Sequence, residues 1–175
     1  MSTTLTYGIY LALANIALTL VGFFLGYQGE NMAQGQWFQY LSWVTTITFV
    51  TLGIRAARED SPHKSLSYGR GVGSAAMIGL YAGIISGVYA FIHFKFVNPN
   101  FVDYLIEFTK AQNAAKGVPE AQIEQMERGM RMTTGPVMFA IASVIISTLF
   151  STIIGLIAAI FLKRPAPAGT ELPPM

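Results

Sequence analysis

Cysteine is absent from the 175 residues. Disulfides, thiolate metal sites and a cysteine nucleophile are therefore excluded, and the redox compartment stays open. Charge is scarce as well. Asp, Glu, Lys and Arg make up 11% of the chain, against about 25% in an ordinary soluble domain. None of the four occurs before Glu30. Histidine occurs only at His63 and His93, too few for a histidine metal set within one copy of the chain. A net charge of +2 spread along the sequence offers no surface for nucleic acid. No Gly-x-Ser-x-Gly elbow is present, and no Ser/His/Asp set stands out. The run Gly69-Arg70-Gly71-Val72-Gly73 looks like a phosphate loop but follows no strand, so the nucleotide reading fails. The expectation is a protein with no cofactor, no metal and no catalytic residues, and not an enzyme.

What is present is apolar: 53% of residues are hydrophobic and 13% aromatic. Four charge-free stretches are long enough to cross about 30 Å of hydrocarbon, which takes about 20 helical residues. They predict spans at 7–27, 37–54, 72–96 and 136–162. The first lacks the basic start and small-residue cleavage pattern of a secretion signal and reads as a retained span. The fold class is all-α, an integral membrane four-helix bundle with an outer amphipathic helical hairpin between the third and fourth helices. Residues 1–164 form one domain, and 165–175, with Pro165, Pro167, Pro173 and Pro174, a disordered tail. The loop 55–70 holds Arg55, Arg58, Lys64 and Arg70, while the turn 28–36 holds no cation. Cationic short loops stay cytoplasmic, so both termini are expected there.

The insert 97–135 carries the hairpin. Asn98 is a candidate N-cap with Pro99 in the first turn. Phe101, Val102, Leu105 and Phe108 share one face. Lys116-Gly117 ends that helix, and Pro119 opens a second, with Ile123, Met126 and Met130 on one side. Glu124/Arg128 and Glu127/Arg131 are i,i+4 pairs in the favourable order.

Two ladders of small residues dominate the spans. Gly71, Ala75, Gly79, Gly83 and Gly87 recur every fourth position, and so do Ser143, Ser147, Ser151, Gly155 and Ala159. Residues four apart lie above one another on a helix, and small ones let two backbones approach closely in lipid. The third and fourth spans are expected to pack ridge to ridge, or one ridge to face another protomer. The serines are available to hydrogen-bond across that contact. No Asp, Glu, Lys or Arg lies at mid-span, which argues against ion-coupled transport. Asn15 and His93 are the candidate polar contacts. Interhelical bonding is the commoner role for such an Asn, and His93 is a candidate pH sensor or ligand. Thr45, Thr46, Thr48 and Thr51 read as hydroxyls bonded to their own helix, not as a pore. Glu59, Asp60 and His63 lack the further ligands a metal needs. Tyr7, Tyr10, Tyr27, Trp37, Tyr40 and Trp43 read as an interfacial aromatic belt.

Several short motifs occur together: Tyr7-Gly8, Gly53-Ile54-Arg55 with Arg58, Leu66-Ser67-Tyr68-Gly69, Asn98-Pro99-x-Phe101, Gly117-Val118-Pro119-Glu120-x-Gln122-Ile123-Glu124 and Gly135-Pro136. In these the chain resembles the bacterial membrane proteins catalogued as domain of unknown function 4199, over nearly its whole length except the tail. The resemblance implies a four-span protein of the bacterial inner membrane with an outer helical insert. It brings no reaction, substrate or site residue. The expected partners are the lipid bilayer and either a protein partner or a second copy of the chain. The function expected is that of a non-enzymatic accessory or interaction subunit, with a small transporter or passive permeation pathway as the alternative.

Overall fold

The computed structural model describes residues 2–165, and among them every regular element is helical. The helices are α1 (Thr3–Phe24), α2 (Gln39–Glu59), α3 (Tyr68–Ile92), α4 (Phe101–Ala115), α5 (Glu120–Thr133) and α6 (Pro136–Leu162). The expected tail lies outside these residues beyond Pro165.

Local chemistry sets the helix starts. The Ser2 hydroxyl accepts from the Leu5 N–H at 3.4 Å and the Ser67 hydroxyl from the Arg70 N–H at 3.3 Å, each satisfying an orphan donor of a first turn. Pro136 occupies the first turn of α6, where a missing N–H costs nothing. Gly117, at φ +76°, turns the chain out of α4 in the left-handed conformation that a side chain disfavours.

α3 packs against α1, α2 and α6, and α2 also touches α1 and α6. Fully buried Leu11, Val50, Ile54 and Ile78 join the first three helices, with Ile154 of α6 at the edge of the same cluster. The Thr3 hydroxyl donates to the Asp60 carboxylate, and Leu66 and Arg164 exchange backbone hydrogen bonds of 2.8 and 2.9 Å. The start of α1, the end of α2, the start of α3 and the end of α6 thus share one end of the molecule, called here the basic end. At the opposite end, α4 and α5 fold onto each other.

Three helices are long and apolar enough to cross a membrane: Thr3–Phe24, Tyr68–Val97 and Pro136–Leu162. α2 is not among them. Its threonines and its Arg55, Arg58 and Glu59 lower its apolar character. Thr46 and Thr48 bond back to the Ser42 and Val44 carbonyls, each at 2.8 Å, as the sequence suggests. The third span runs to Val97 as one membrane-crossing stretch. It closes at His93–Val97 in a wide turn, where the Asn98 N–H reaches back five residues to the His93 carbonyl at 2.8 Å. Asn98 does not cap α4, which begins at Phe101, because its side-chain amide is used elsewhere.

Candidate functional site

The first candidate is the seam between α3 and α6, where backbones replace side chains. A Cβ on Gly79 would stand 2.6 Å from the Ser147 carbonyl oxygen and 2.6 Å from the Ser151 Cβ. One on Gly83 would stand 2.8 Å from the Val144 Cα, and one on Gly87 2.8 Å from the Ala140 carbonyl oxygen. Gly71 faces the Ala159 Cβ at 2.9 Å, and Gly155 abuts the Ala75 Cβ. Each step of four up α3 meets a step of four down α6, within one chain. These separations leave no room for a methyl group, so only glycine allows the approach. Ser143 and Ser147 take part through their backbone or Cβ atoms. The Ser151 hydroxyl is fully buried without a hydrogen-bond partner, so it does not supply the cross-helix bond expected of it. Nothing in the seam is chemically reactive.

The second candidate is a buried polar network at the hairpin end. His93 is fully buried. Its Nε2 lies 2.8 Å from Gln28 Oε1 and its Nδ1 3.1 Å from the Tyr89 hydroxyl. The Gln28 amide nitrogen donates to the Thr19 carbonyl at 2.8 Å. That carbonyl can only accept, so Gln28 must turn its oxygen to the histidine. His93 therefore carries its proton on Nε2, and the Tyr89 hydroxyl donates to Nδ1. The Asn98 amide nitrogen completes the set by donating to the Gln28 carbonyl at 3.0 Å. Phe23 and Phe94 stand edge-on to the imidazole at centroid distances of 5.4 and 5.0 Å. The wide turn beginning at His93 is the type of local irregularity often found at functional positions. Here it ties the α1–α2 connection to the end of α3.

Beside this network lies an open cleft of about 210 Å³. Leu18, Thr19, Tyr27, Phe38, Gln39 and Ser42 line it together with Gln28. Every polar lining group is uncharged. Asn15 lies one turn before Thr19, whose hydroxyl donates to the Asn15 carbonyl at 2.9 Å. The Asn15 side-chain oxygen is buried without a partner. It is thus near the site but is not part of its bonding, and the structure does not bring Asn15 and His93 into contact through any hydrogen bond. Gln28 was not singled out from the sequence, and Asn98 was singled out only as a helix cap. Their importance depends on pairings across 65 and 70 residues, which no local pattern encodes.

At the basic end, His63 and Lys64 adopt left-handed backbone angles, φ 58° and 51°. No group of three or more His, Asp or Glu side chains suited to a metal occurs among the described residues. The expected aromatics form edge-to-face pairs, Tyr7 with Tyr10 at 5.9 Å and Tyr40 with Trp43 at 5.2 Å. Tyr10, Trp37, Tyr40 and Trp43 are exposed on the helix surface.

The family model described as Protein of unknown function (DUF4199) matches residues 6–164. No curated protein and no solved structure matches the chain.

Proposed function

The chain belongs to the DUF4199 family, and from that premise we propose a non-enzymatic accessory or interaction subunit of the bacterial inner membrane, with four spans, both termini cytoplasmic, and the α4–α5 hairpin as the surface that recognises a protein partner. Support for membrane residence comes from the three apolar helices and from their lipid-type seam of small residues. α2 serves as the fourth span by virtue of its length and its place beside α1, α3 and α6.

The observation that carries the reading is how the hairpin is mounted. Ile106 of α4 and Ile123 and Met130 of α5 line a seam between the two helices. Lys110–Glu127 at 2.9 Å and Arg131–Asp103 at 2.9 Å clamp that seam. Attachment to the spans runs through stacked Phe94 and Phe101, with Phe139 against both. α5 has no buried residue, so its outer side is free to be read by a partner. Replacing residues 97–135 with a short flexible linker tests this, because α3 and α6 are already side by side. We expect membrane insertion to persist while photocrosslinked partner capture in the native membrane is lost. Undiminished capture by the linker variant would refute the proposal.

The cleft beside Gln28 favours the second reading, a passive permeation pathway for an uncharged solute. Thiol labelling of Thr48→Cys and Ser147→Cys separates the two, since a pathway through the helices requires water to reach at least one of these positions.

A further inference from the structure

We propose that the basic end binds the headgroups of anionic phospholipids, through Arg55, Arg70, Lys163 and Arg164. The segments 55–70 and 163–164 hold six cations against two carboxylates, Glu59 and Asp60. Both carboxylates are engaged. Glu59 takes Arg58 at 2.8 Å and Lys64 at 3.5 Å, and Asp60 takes the Thr3 hydroxyl. Arg55, Arg70, Lys163 and Arg164 are exposed, and none enters an ion pair among the described residues. The hairpin end holds a similar number of cations but is self-neutralised. Lys110, Arg128 and Arg131 all sit in ion pairs there, and six carboxylates face five cations in 28–36 and 95–135.

Folding then gathers these four cations. The Leu66–Arg164 backbone pair, anchored on a buried Leu66, sets Lys163 and Arg164 beside the entry to α3. Arg70 lies in the first turn of that helix, and Arg55 one turn before the end of α2. All four stand at the ends of long helices, and Arg70, Lys163 and Arg164 mark the ends of membrane-crossing runs. That is the depth of the headgroups, where each Lys or Arg is attracted to an anionic leaflet. Tyr68, exposed at the same end with its hydroxyl donating to the Leu156 carbonyl at 3.3 Å, has the amphipathic form suited to that layer. The four cations are spread over three elements at this end. Cations so distributed fit the phosphodiesters of several lipids better than one small soluble anion.

The proposal rests on the membrane-spanning reading, which is checked separately by retention of the protein in membranes through an alkaline wash. The test is native mass spectrometry of the full chain in detergent, titrated with phosphatidylglycerol or phosphatidylcholine. We expect phosphatidylglycerol to bind about tenfold more tightly, with the preference falling as salt rises. Arg70→Gln with Arg164→Gln should reduce that preference to about twofold or less, because two cations at about fivefold each cover the whole tenfold preference. Arg55→Gln with Lys163→Gln should act similarly, which keeps the test open if one pair folds poorly. Lys116→Gln with Arg128→Gln, an equal charge change at the hairpin end, should leave it within about twofold. Equal affinity for the two lipids, an equal effect of the hairpin-end pair, or competition by soluble glycerol phosphate would each overturn the proposal.

Discussion

What a glycine contributes to this molecule depends on what stands opposite it. Gly83 faces the Val144 Cα and the Ser143 carbonyl oxygen, backbone atoms that cannot swing away. Gly83→Leu should therefore force α3 and α6 apart and lower stability by about 3 kcal/mol or more, the upper range for overpacking. Gly73 lies on the same helix with nothing within 4 Å of its Cβ position. Gly73→Ala should be neutral or stabilising by up to about 1 kcal/mol through helix propensity. Thermal unfolding of both variants in mild detergent checks the contrast, and equal melting temperatures would remove the close-approach account. The same scale holds the buried histidine. His93→Leu leaves the Gln28 side-chain oxygen and the Tyr89 hydroxyl without their partner, at a cost of about 1–3 kcal/mol. The double variant with Gln28→Leu should cost less than the two single changes added together, which a double-mutant cycle measures. The ladders were legible in the sequence because their spacing of four is itself a statement about one helix face. Gln28 was not, because a lone glutamine in a turn has no period, and its role appears only when α3 delivers His93 to it.

Among the elements, the hairpin responds to pH and salt in a calculable direction. Lys110 beside Glu127, and then Arg131, hold its carboxyl below the ordinary glutamate value. The folded pKa is depressed, so the charge pairing stabilises the hairpin at neutral pH and is lost as pH falls through that depressed value. The pair is half-buried and still reached by solvent, so salt screens it in part. Amide exchange protection in α5 should hold from pH 7 down to the ordinary glutamate value of 4.5, fall between there and about pH 3 in the wild-type protein, and fall less in Glu127→Gln. Protection that is identical in both proteins across this range would show that the ion pairs do not hold α5 to α4. The hairpin's helices and their break at Gly117 follow from sequence, since amphipathic faces and i,i+4 charges are local signals. Their entry does not. Asn98 looks like a cap, but its amide is taken by the Gln28 carbonyl, and the helix starts three residues later. Similarly, the end of α3 reads as a continuous helix because the wide turn at His93–Val97 leaves the apolar composition unchanged.

For the molecule as a whole, the absence of cysteine makes the arrangement testable without background. α3 together with its wide turn covers Tyr68–Val97, about 45 Å of helix at 1.5 Å per residue, enough to cross the hydrocarbon with length to spare. If it crosses once, positions before and after it must lie on opposite sides of the membrane. Pro62 precedes α3 and Lys116 follows it, and both are exposed. Single cysteines at Pro62→Cys and Lys116→Cys should therefore react with a membrane-impermeant thiol reagent from opposite faces. The proposed orientation puts the cation-rich loop around Pro62 in the cytoplasm. Lys116→Cys should react in intact spheroplasts, and Pro62→Cys only after the membrane is opened. Ser147→Cys should resist labelling from both faces, since Ser147 packs against Gly79 and Gly83 near the middle of α6. Reaction of Pro62→Cys and Lys116→Cys from the same face would mean that α3 does not cross, and the membrane reading would fail with it. Labelling of Ser147→Cys from either face would instead leave the crossing intact and open the α3–α6 seam as a route for solute.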